Sequence, residues 1–330
     1  MIRGIDMKKL KVGLYGRNGH QIEGKLKNNE YAELAAVCFR NLSDEAKERY
    51  EKNGVKVCSS LDEMLKDDTV ELVSLCSPRR ADQENDAILC LKAGKHVYAE
   101  KPGAMTEAGL EKILQTAKDC GKEFHEYADT IFYEPYMSLR KIVESGKLGA
   151  VVQVYAQKSY PMGDSRPQDE ETDGGLVRWV GIHALRMVEH ITKLKVDKID
   201  AVRTHIGNPK GEGGLYTASS LMMTLENGGV ASVCLNYLNP KGFGIWGNEC
   251  VRVFGTKGMA EITDGGRHTH VYTDIDEGEI DTSLSNCRDF FDMLAEHLLS
   301  GKDMPISLEE ELHPLRVVIR AHEAAKEAGK

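Results

Sequence analysis

Six short apolar runs separated by segments of helical pattern fill the first 127 residues. They restrict the fold more than any other feature. The runs are Leu10–Tyr15, Ala35–Phe39, Val55–Cys58, Val70–Cys76, His96–Ala99 and Lys122–Tyr127. Helical patterning falls on Gln21–Asn29, Ser43–Lys52, the stretch opening at Ser60, Ala81–Ala93 and Thr106–Asp119. Ser60 and Glu63 have the spacing of a capping box. Strands that are apolar on both faces and alternate with helices predict a parallel sheet covered on both sides, an α/β fold.

After residue 127 the pattern changes. Helices are expected over Pro135–Ser145, Leu176–Thr192, Ser285–Leu299 and Leu308–Ala328. Strands are expected over Ala150–Tyr160, Ile199–His205, Leu215–Leu225, Val230–Tyr237, Glu249–Phe254 and Met259–Thr263. Asn227-Gly228 marks a hairpin. The expectation is a second, α+β domain (128–330) on a mainly antiparallel sheet, following a first domain over 1–127.

The first strand runs into Tyr15-Gly16-Arg17-Asn18-Gly19-His20. A glycine turn between strand and helix suits a diphosphate, which takes backbone N–H groups and the positive helix end. With Gly13, Gly16 and Gly19 the spacing is irregular. Asn18 stands at the second glycine position, where its readiness to adopt positive φ lets the turn survive; Gln21 stands at the third, where a small residue favours close packing. An ordinary tight turn is the alternative. The second strand ends in Phe39-Arg40-Asn41, without the acid that would read a free ribose 2′-hydroxyl. Arg40 suits a 2′-phosphate, Phe39 or Arg40 could stack on adenine, and NADP is favoured over NAD.

The run Ala93-Gly94-Lys95-His96-Val97-Tyr98-Ala99-Glu100-Lys101-Pro102, after that turn, resembles the glucose-fructose oxidoreductase / inositol dehydrogenase (Gfo/Idh/MocA) family. The resemblance implies a Rossmann domain and an α+β domain with a large open sheet. It also implies NAD(P)-dependent redox chemistry on a sugar, polyol or related hydroxyl or ketone compound, in homodimers or homotetramers paired through that sheet. It places Lys101 near nicotinamide and substrate, Pro102 at the junction, and Glu100 in a structural or cofactor-contacting role. Cys76-Ser77-Pro78 resembles the family's Thr-Pro pair beside the cofactor, although Arg79-Arg80 follows where a histidine-bearing segment is usual. Either arginine could approach a phosphate or an acidic substrate.

The family's second motif, Gly-Gly followed by Asp and then His, corresponds to Gly174-Gly175, Trp179 and His183. The acid is replaced by Trp179, and a further Asp position by Arg186. Oxidising an alcohol needs a base for the hydroxyl proton. His183 is the candidate, with Tyr160 as a possible relay and Trp179 as a stacking face. Lys158, Tyr160 and Arg166 are further candidate substrate contacts, as are His125 and Glu126 at the end of the sixth strand. Asp164, Arg166, Asp169, Glu170 and Asp173 lie in a loop that could cover substrate.

The formal net charge of −9 opposes a nucleic-acid partner. No apolar run reaches the roughly 20 residues of a membrane span, and the start MIRGIDMKKL has no apolar core of a leader, so cytoplasm is the default. The eight cysteines form no CxxC pair and mostly sit in apolar stretches. His268 and His270 beside Asp264 are expected on the surface, and no metal site is expected. Three alternatives stay open: a cofactor-retaining enzyme using transient sugar oxidation for glycoside cleavage or epimerisation, action on a non-sugar substrate, and a non-catalytic NAD(P)-binding sensor.

Overall fold

The computed structural model describes residues 8–127, 129–163, 165–284 and 286–328. The chain divides into two compact units. The first takes the chain up to Tyr127 together with Asp289–Glu311; the second takes Ala128–Arg288 and the chain from Leu312.

In the first unit, β1 (Leu10–Tyr15), β2 (Ala32–Cys38), α1 (Asp44–Lys52), β3 (Lys56–Val57), α2 (Leu61–Leu65), β4 (Leu72–Leu75), α3 (Gln83–Lys92), β5 (His96–Ala99), α4 (Glu107–Cys120) and β6 (Phe124–Glu126) follow in turn. The strands form one parallel sheet in the order β3-β2-β1-β4-β5-β6. Val12, Leu14, Leu72, Val73, Leu75 and Val97 are fully buried, as strands covered on both faces require. The α4 helix buries Leu110, Ile113 and Ala117, spaced for one helical face. The Thr106 hydroxyl accepts from Gly109 N at its start, and Gly121 closes it at φ +59°. In α2 the Ser60 hydroxyl accepts from Glu63 N. The Glu63 carboxylate turns instead to Ser59 N and Oγ, so the capping box is only half formed.

One expected element is replaced. The Gln21–Asn29 segment holds a single 3-10 turn, Ile22–Gly24, rather than an α-helix. Ile22 and Leu26 are its buried apolar residues, too few to hold a longer helix against a sheet, and Gly24 weakens it further.

In the second unit, α5 (Tyr136–Glu144), β7 (Val151–Ser159), α6 (Glu170–Asp173), α7 (Gly181–Thr192), β8 (Val196–Thr204), β9 (Ala218–Leu225), β10 (Val230–Asn236), β11 (Cys250–Gly255), β12 (Gly258–Thr263), β13 (His268–Thr273) and β14 (Glu277–Gly278) come in sequence. The eight strands make one sheet, ordered β14-β13-β12-β11-β7-β10-β9-β8, antiparallel except for β10 beside β7. The Asn227-Gly228 hairpin joins β9 to β10, with Gly228 at φ +84°. Leu176–Val180 forms a π-helical turn directly before α7. Sequence reading misses β13 and β14 because His268–Thr273 buries only Val271, leaving little apolar alternation. The chain then returns to the first unit with α8 (Phe290–Ser300), whose Phe290 and Phe291 pack on Tyr98. The last helix, α9 (Leu308–Ala328), starts in the first unit and enters the second at Leu312.

Candidate functional site

In the first unit the strand order reverses between β1 and β4, and ligands of such sheets bind beyond the carboxyl ends of the strands at that point. The segments there are Tyr15–His20 and Cys76–Pro78. Gly16 has φ +70°, and a Cβ on it would lie 1.9 Å from the Cys76 carbonyl oxygen. Gly19 has φ +116°, and a Cβ there would lie 2.5 Å from Glu100 Oε1. Both positions therefore demand glycine, whereas Gly13 lies inside β1 against Met64. Positive φ in the turn falls on Gly16 and Gly19, so the tolerance of Asn18 for it is not called on. Asn18 Nδ2 donates to the Pro78 carbonyl, linking the two segments.

Gln21 explains how the turn survives without a small third residue. Its Nε2 donates to the carbonyls of Tyr15, Gly16 and Ser74, and its Oε1 accepts from Ser74 Oγ and Ile22 N. The side chain thus bridges β1 and β4. Arg80, considered above for a phosphate, is fully buried and donates to Asn18 O and Gln83 Oε1. Those bonds commit it to bracing the turn from behind. Ser77 is likewise committed, its hydroxyl donating to Asp86 at 2.7 Å. Burial pushes the Tyr15 hydroxyl up to about 12 and the Cys76 thiol well above its usual range, so both stay neutral near pH 7.

At the end of β2, Phe39 is buried and the Arg17 guanidinium covers its ring at 3.8 Å. Phe39 therefore offers no free face to an adenine; Arg17, also bonded to Tyr50 and Glu23, carries the outward surface. Arg40 and Asn41 are exposed, Asn41 at φ +59°. The glycine turn at the strand-order reversal and the acid-free end of β2 fit a nicotinamide dinucleotide, for which backbone N–H groups, Arg17 and Arg40 would be the holding groups.

The Glu100-Lys101-Pro102 segment follows β5. Lys101 is 0% exposed, which removes a solvated surface lysine from consideration. Its Nζ lies 3.8 Å from Glu100 Oε1, which also accepts from His20 Nδ1 at 2.9 Å. Burial alone would raise the Glu100 pKa. Lys101, His20 and Arg80 outweigh it and hold the carboxyl down at about 2. Gln83 Nε2 donates to the carbonyls of Glu100 and Pro102, fixing the backbone on both sides of Lys101.

His125 and Glu126, expected to line the substrate site, are engaged elsewhere. His125 Nδ1 meets Glu311 Oε2 at 2.7 Å and Nε2 meets Glu123 Oε2 at 3.0 Å. Burial opposes its charge, but Glu311 and Glu123 prevail and raise it to about 9. Glu126 is fully buried; its carboxylate accepts from Gly103 N and its own N–H donates to Glu311. These contacts fasten β6 to the segment after Pro102 and to the start of α9.

In the second unit His183 lies in the first turn of α7, half-buried, with Nδ1 3.3 Å from Thr130 Oγ1. Trp179 is half-buried in the π-helical turn, one turn earlier. The Tyr160 ring packs against Trp179 at 5.8 Å and against Trp246 at 6.2 Å. Lys158 is buried, ion-paired with Glu249, and sits 4.7 Å over the Tyr160 ring, so its charge is already neutralised. Arg166 lies 3.7 Å over the Tyr237 ring. Glu170, from the expected covering loop, pairs with Arg203 at 3.0 Å; Asp164 lies outside the described residues. Arg186 is fully buried. Among the described residues no group of three or more His, Cys, Asp or Glu could hold a metal, and no helix is long and apolar enough to cross a membrane.

Sequence reading missed Gln83, Trp246 and Glu311. Gln83 left a signal, a polar residue in helical phase with the buried Ala87, Cys90 and Leu91.

Residues 10–128 match the family model described as an oxidoreductase family with an NAD-binding Rossmann fold, and 136–261 match the GFO/IDH/MocA C-terminal domain. D-glucoside 3-dehydrogenase of Escherichia coli is 31% identical over 67% of this chain and 68% of its own. Trans-1,2-dihydrobenzene-1,2-diol dehydrogenase of Bos taurus is 29% identical over 70% of this chain and 66% of its own. An aldose-aldose oxidoreductase structure from Caulobacter crescentus, complexed with glycerol, superposes with a TM-score of 0.82 at 21% identity, covering 97% of this chain and 98% of that one. The chain spans less than two thirds of several relatives, 37% in an uncharacterized oxidoreductase of Escherichia coli.

Proposed function

The chain belongs to the Gfo/Idh/MocA oxidoreductase family, and from that premise we propose that it is an NAD(P)-dependent dehydrogenase or reductase of a carbohydrate, polyol or related hydroxyl or ketone substrate. The observation that carries this reading is the buried Lys101, one residue from the carboxylate that balances its charge and braced by Gln83. A buried ion pair is often replaceable as a whole by apolar residues without loss of stability, so a pair kept here supports a task for Lys101 beyond holding the fold.

A nicotinamide held at the glycine turn would supply the acceptor or donor of hydride. Lys101 Nζ donates a hydrogen bond to the reacting oxygen and orients it. His183, whose Nδ1 lies 3.3 Å from Thr130 Oγ1, exchanges the hydroxyl proton. Tyr160 assists as a relay. Trp179, at the position of the family's acid, supplies a stacking face. Arg40 favours NADP. The outer face of the second unit's sheet, with Met222, Val202, Val230 and Val152 exposed, supports pairing of two copies.

The test is reduction of NAD and NADP across a panel of sugars, polyols and hydroxy acids, with Lys101→Met and His183→Gln. Turnover lost in both variants supports the reading. No turnover with any substrate, together with tight cofactor binding, favours the non-catalytic sensor, which Trp179 at the acid position also suggests.

A further inference from the structure

The chain has two tryptophans, Trp179 and Trp246, and the second unit places both against Tyr160. Trp246 is 68% exposed, a degree that leaves a large apolar face in water. Its loop is fixed all the same, because Asn239 Nδ2 donates to the carbonyls of Trp246 and Ser159. An exposed indole on an anchored loop and a half-buried one, both against the Tyr160 ring, offer apolar faces to a sugar ring.

Arg166 sits against the same rings, 5.9 Å from both Tyr160 and Trp179 and 3.7 Å over Tyr237. Its surroundings differ from those of the neighbouring cations. Lys158 is matched by Glu249 and Arg203 by Glu170. Among the described residues Arg166 pairs with no carboxylate; its hydrogen bond goes to the Pro161 carbonyl, and its Nε bonds to nothing. Three π faces hold a guanidinium in place without cancelling its charge. The planar fork of guanidinium donors matches a carboxylate in bidentate geometry.

We infer that Arg166, Trp179 and Trp246 form a subsite for a sugar that carries a carboxylate, of hexuronate type, with the C–H face of its ring on the indoles and the carboxylate on Arg166. The charge count selects a carboxylate over a phosphate. Arg166, a single cation with no carboxylate partner among the described residues, balances a monoanion, whereas a phosphate monoester carries close to two charges near pH 7. Trp179 lies one helical turn before His183, so the subsite adjoins the group assigned to proton exchange. Only this link to the chemistry rests on the dehydrogenase reading; binding itself is measured directly.

Because the chain has no other tryptophan, its emission reports on the subsite. The full chain is titrated with glucuronate, glucose and glucose 6-phosphate, and indole fluorescence is followed. Saturable change with glucuronate at least about tenfold tighter than with glucose is expected. That preference should vanish in Arg166→Gln and partly persist in Arg166→Lys. Trp246→Phe should weaken both sugars by a few-fold. No saturable change with glucuronate, equal binding of glucose, tighter binding of glucose 6-phosphate, or an unaltered preference in Arg166→Gln overturns the inference. Turnover on neutral sugars alone would sink it and spare the dehydrogenase reading. Glucuronate binding with no cofactor reduction on any substrate would do the reverse.

Discussion

Lys101 Nζ stands 3.8 Å from Glu100 Oε1, and both side chains are completely buried. Taking either charge out of water costs several kcal/mol, and each is tolerated because the other compensates it. Replacing Glu100 by Gln keeps the shape and removes the compensation. It should cost about 3 kcal/mol of stability, whereas the double variant with Lys101→Met should recover much of that loss. Denaturant unfolding of the two variants decides the matter. Equal stability of the single and double variants would show that the two charges are not coupled.

Gly16 and Gly54 share nearly the same φ, +70° and +75°, but a Cβ at Gly54 would meet nothing within 4 Å. Gly54→Ala should therefore cost only the left-handed penalty, about 1 kcal/mol. Gly16→Ala adds a collision with the Cys76 carbonyl and must push β1 and β4 apart. A loss beyond about 3 kcal/mol is expected, with cofactor affinity falling at least tenfold. Thermal unfolding and cofactor titration of the pair separate the two causes. Similar behaviour of both variants would mean that the turn is looser than its geometry requires.

The parallel sheet was legible because apolar strand runs and helical periods report burial directly, as at Val12, Leu14 and Leu110. Residues such as Gln21 and Arg80 were not, because their roles depend on bonds to carbonyls 53 and 62 positions away. Sequence spacing gives no hint of such partners. Phe39 misled for a similar reason: an aromatic ring at the end of β2 reads as a stacking face until Arg17 is seen to cover it. His125 and Glu126 were placed on the right strand, yet Glu311, 186 positions from His125, takes them away from substrate.

The exposed Arg40 at the end of β2 should set cofactor choice. A 2′-phosphate can pair with its guanidinium, while a free 2′-hydroxyl prefers an acid there. Arg40→Asp should raise the Kd for NADP about tenfold or more, the worth of one hydrogen bond to a charged group, and should leave NAD unchanged or improved. Isothermal titration with each cofactor measures this without any substrate. Parallel weakening of both cofactors would remove Arg40 from the choice.

His125 makes a pH-dependent bond whose sign is fixed by its neighbours. Its pKa is raised to about 9 against burial, first by the charge of Glu311 and then by the Glu123 hydrogen bond. A group with a raised native pKa stabilises the fold fully below its unfolded pKa, near 6.5. That contribution fades as pH rises through about 9. Glu123, brought down to about 2 chiefly by its bond to His125, works in the other direction and loses its contribution only as pH falls below the usual carboxylate range. Wild type should therefore exceed His125→Gln in stability by on the order of 3 kcal/mol at pH 6. The gap should narrow steadily toward pH 9.5, where the imidazole of the wild type has lost most of its charge. Urea unfolding of both proteins across that range tests the sign as well as the size. A gap that stays constant with pH would mean that His125 contributes through packing alone, and that the Glu311–His125–Glu123 chain does not anchor α9 to β6 by charge.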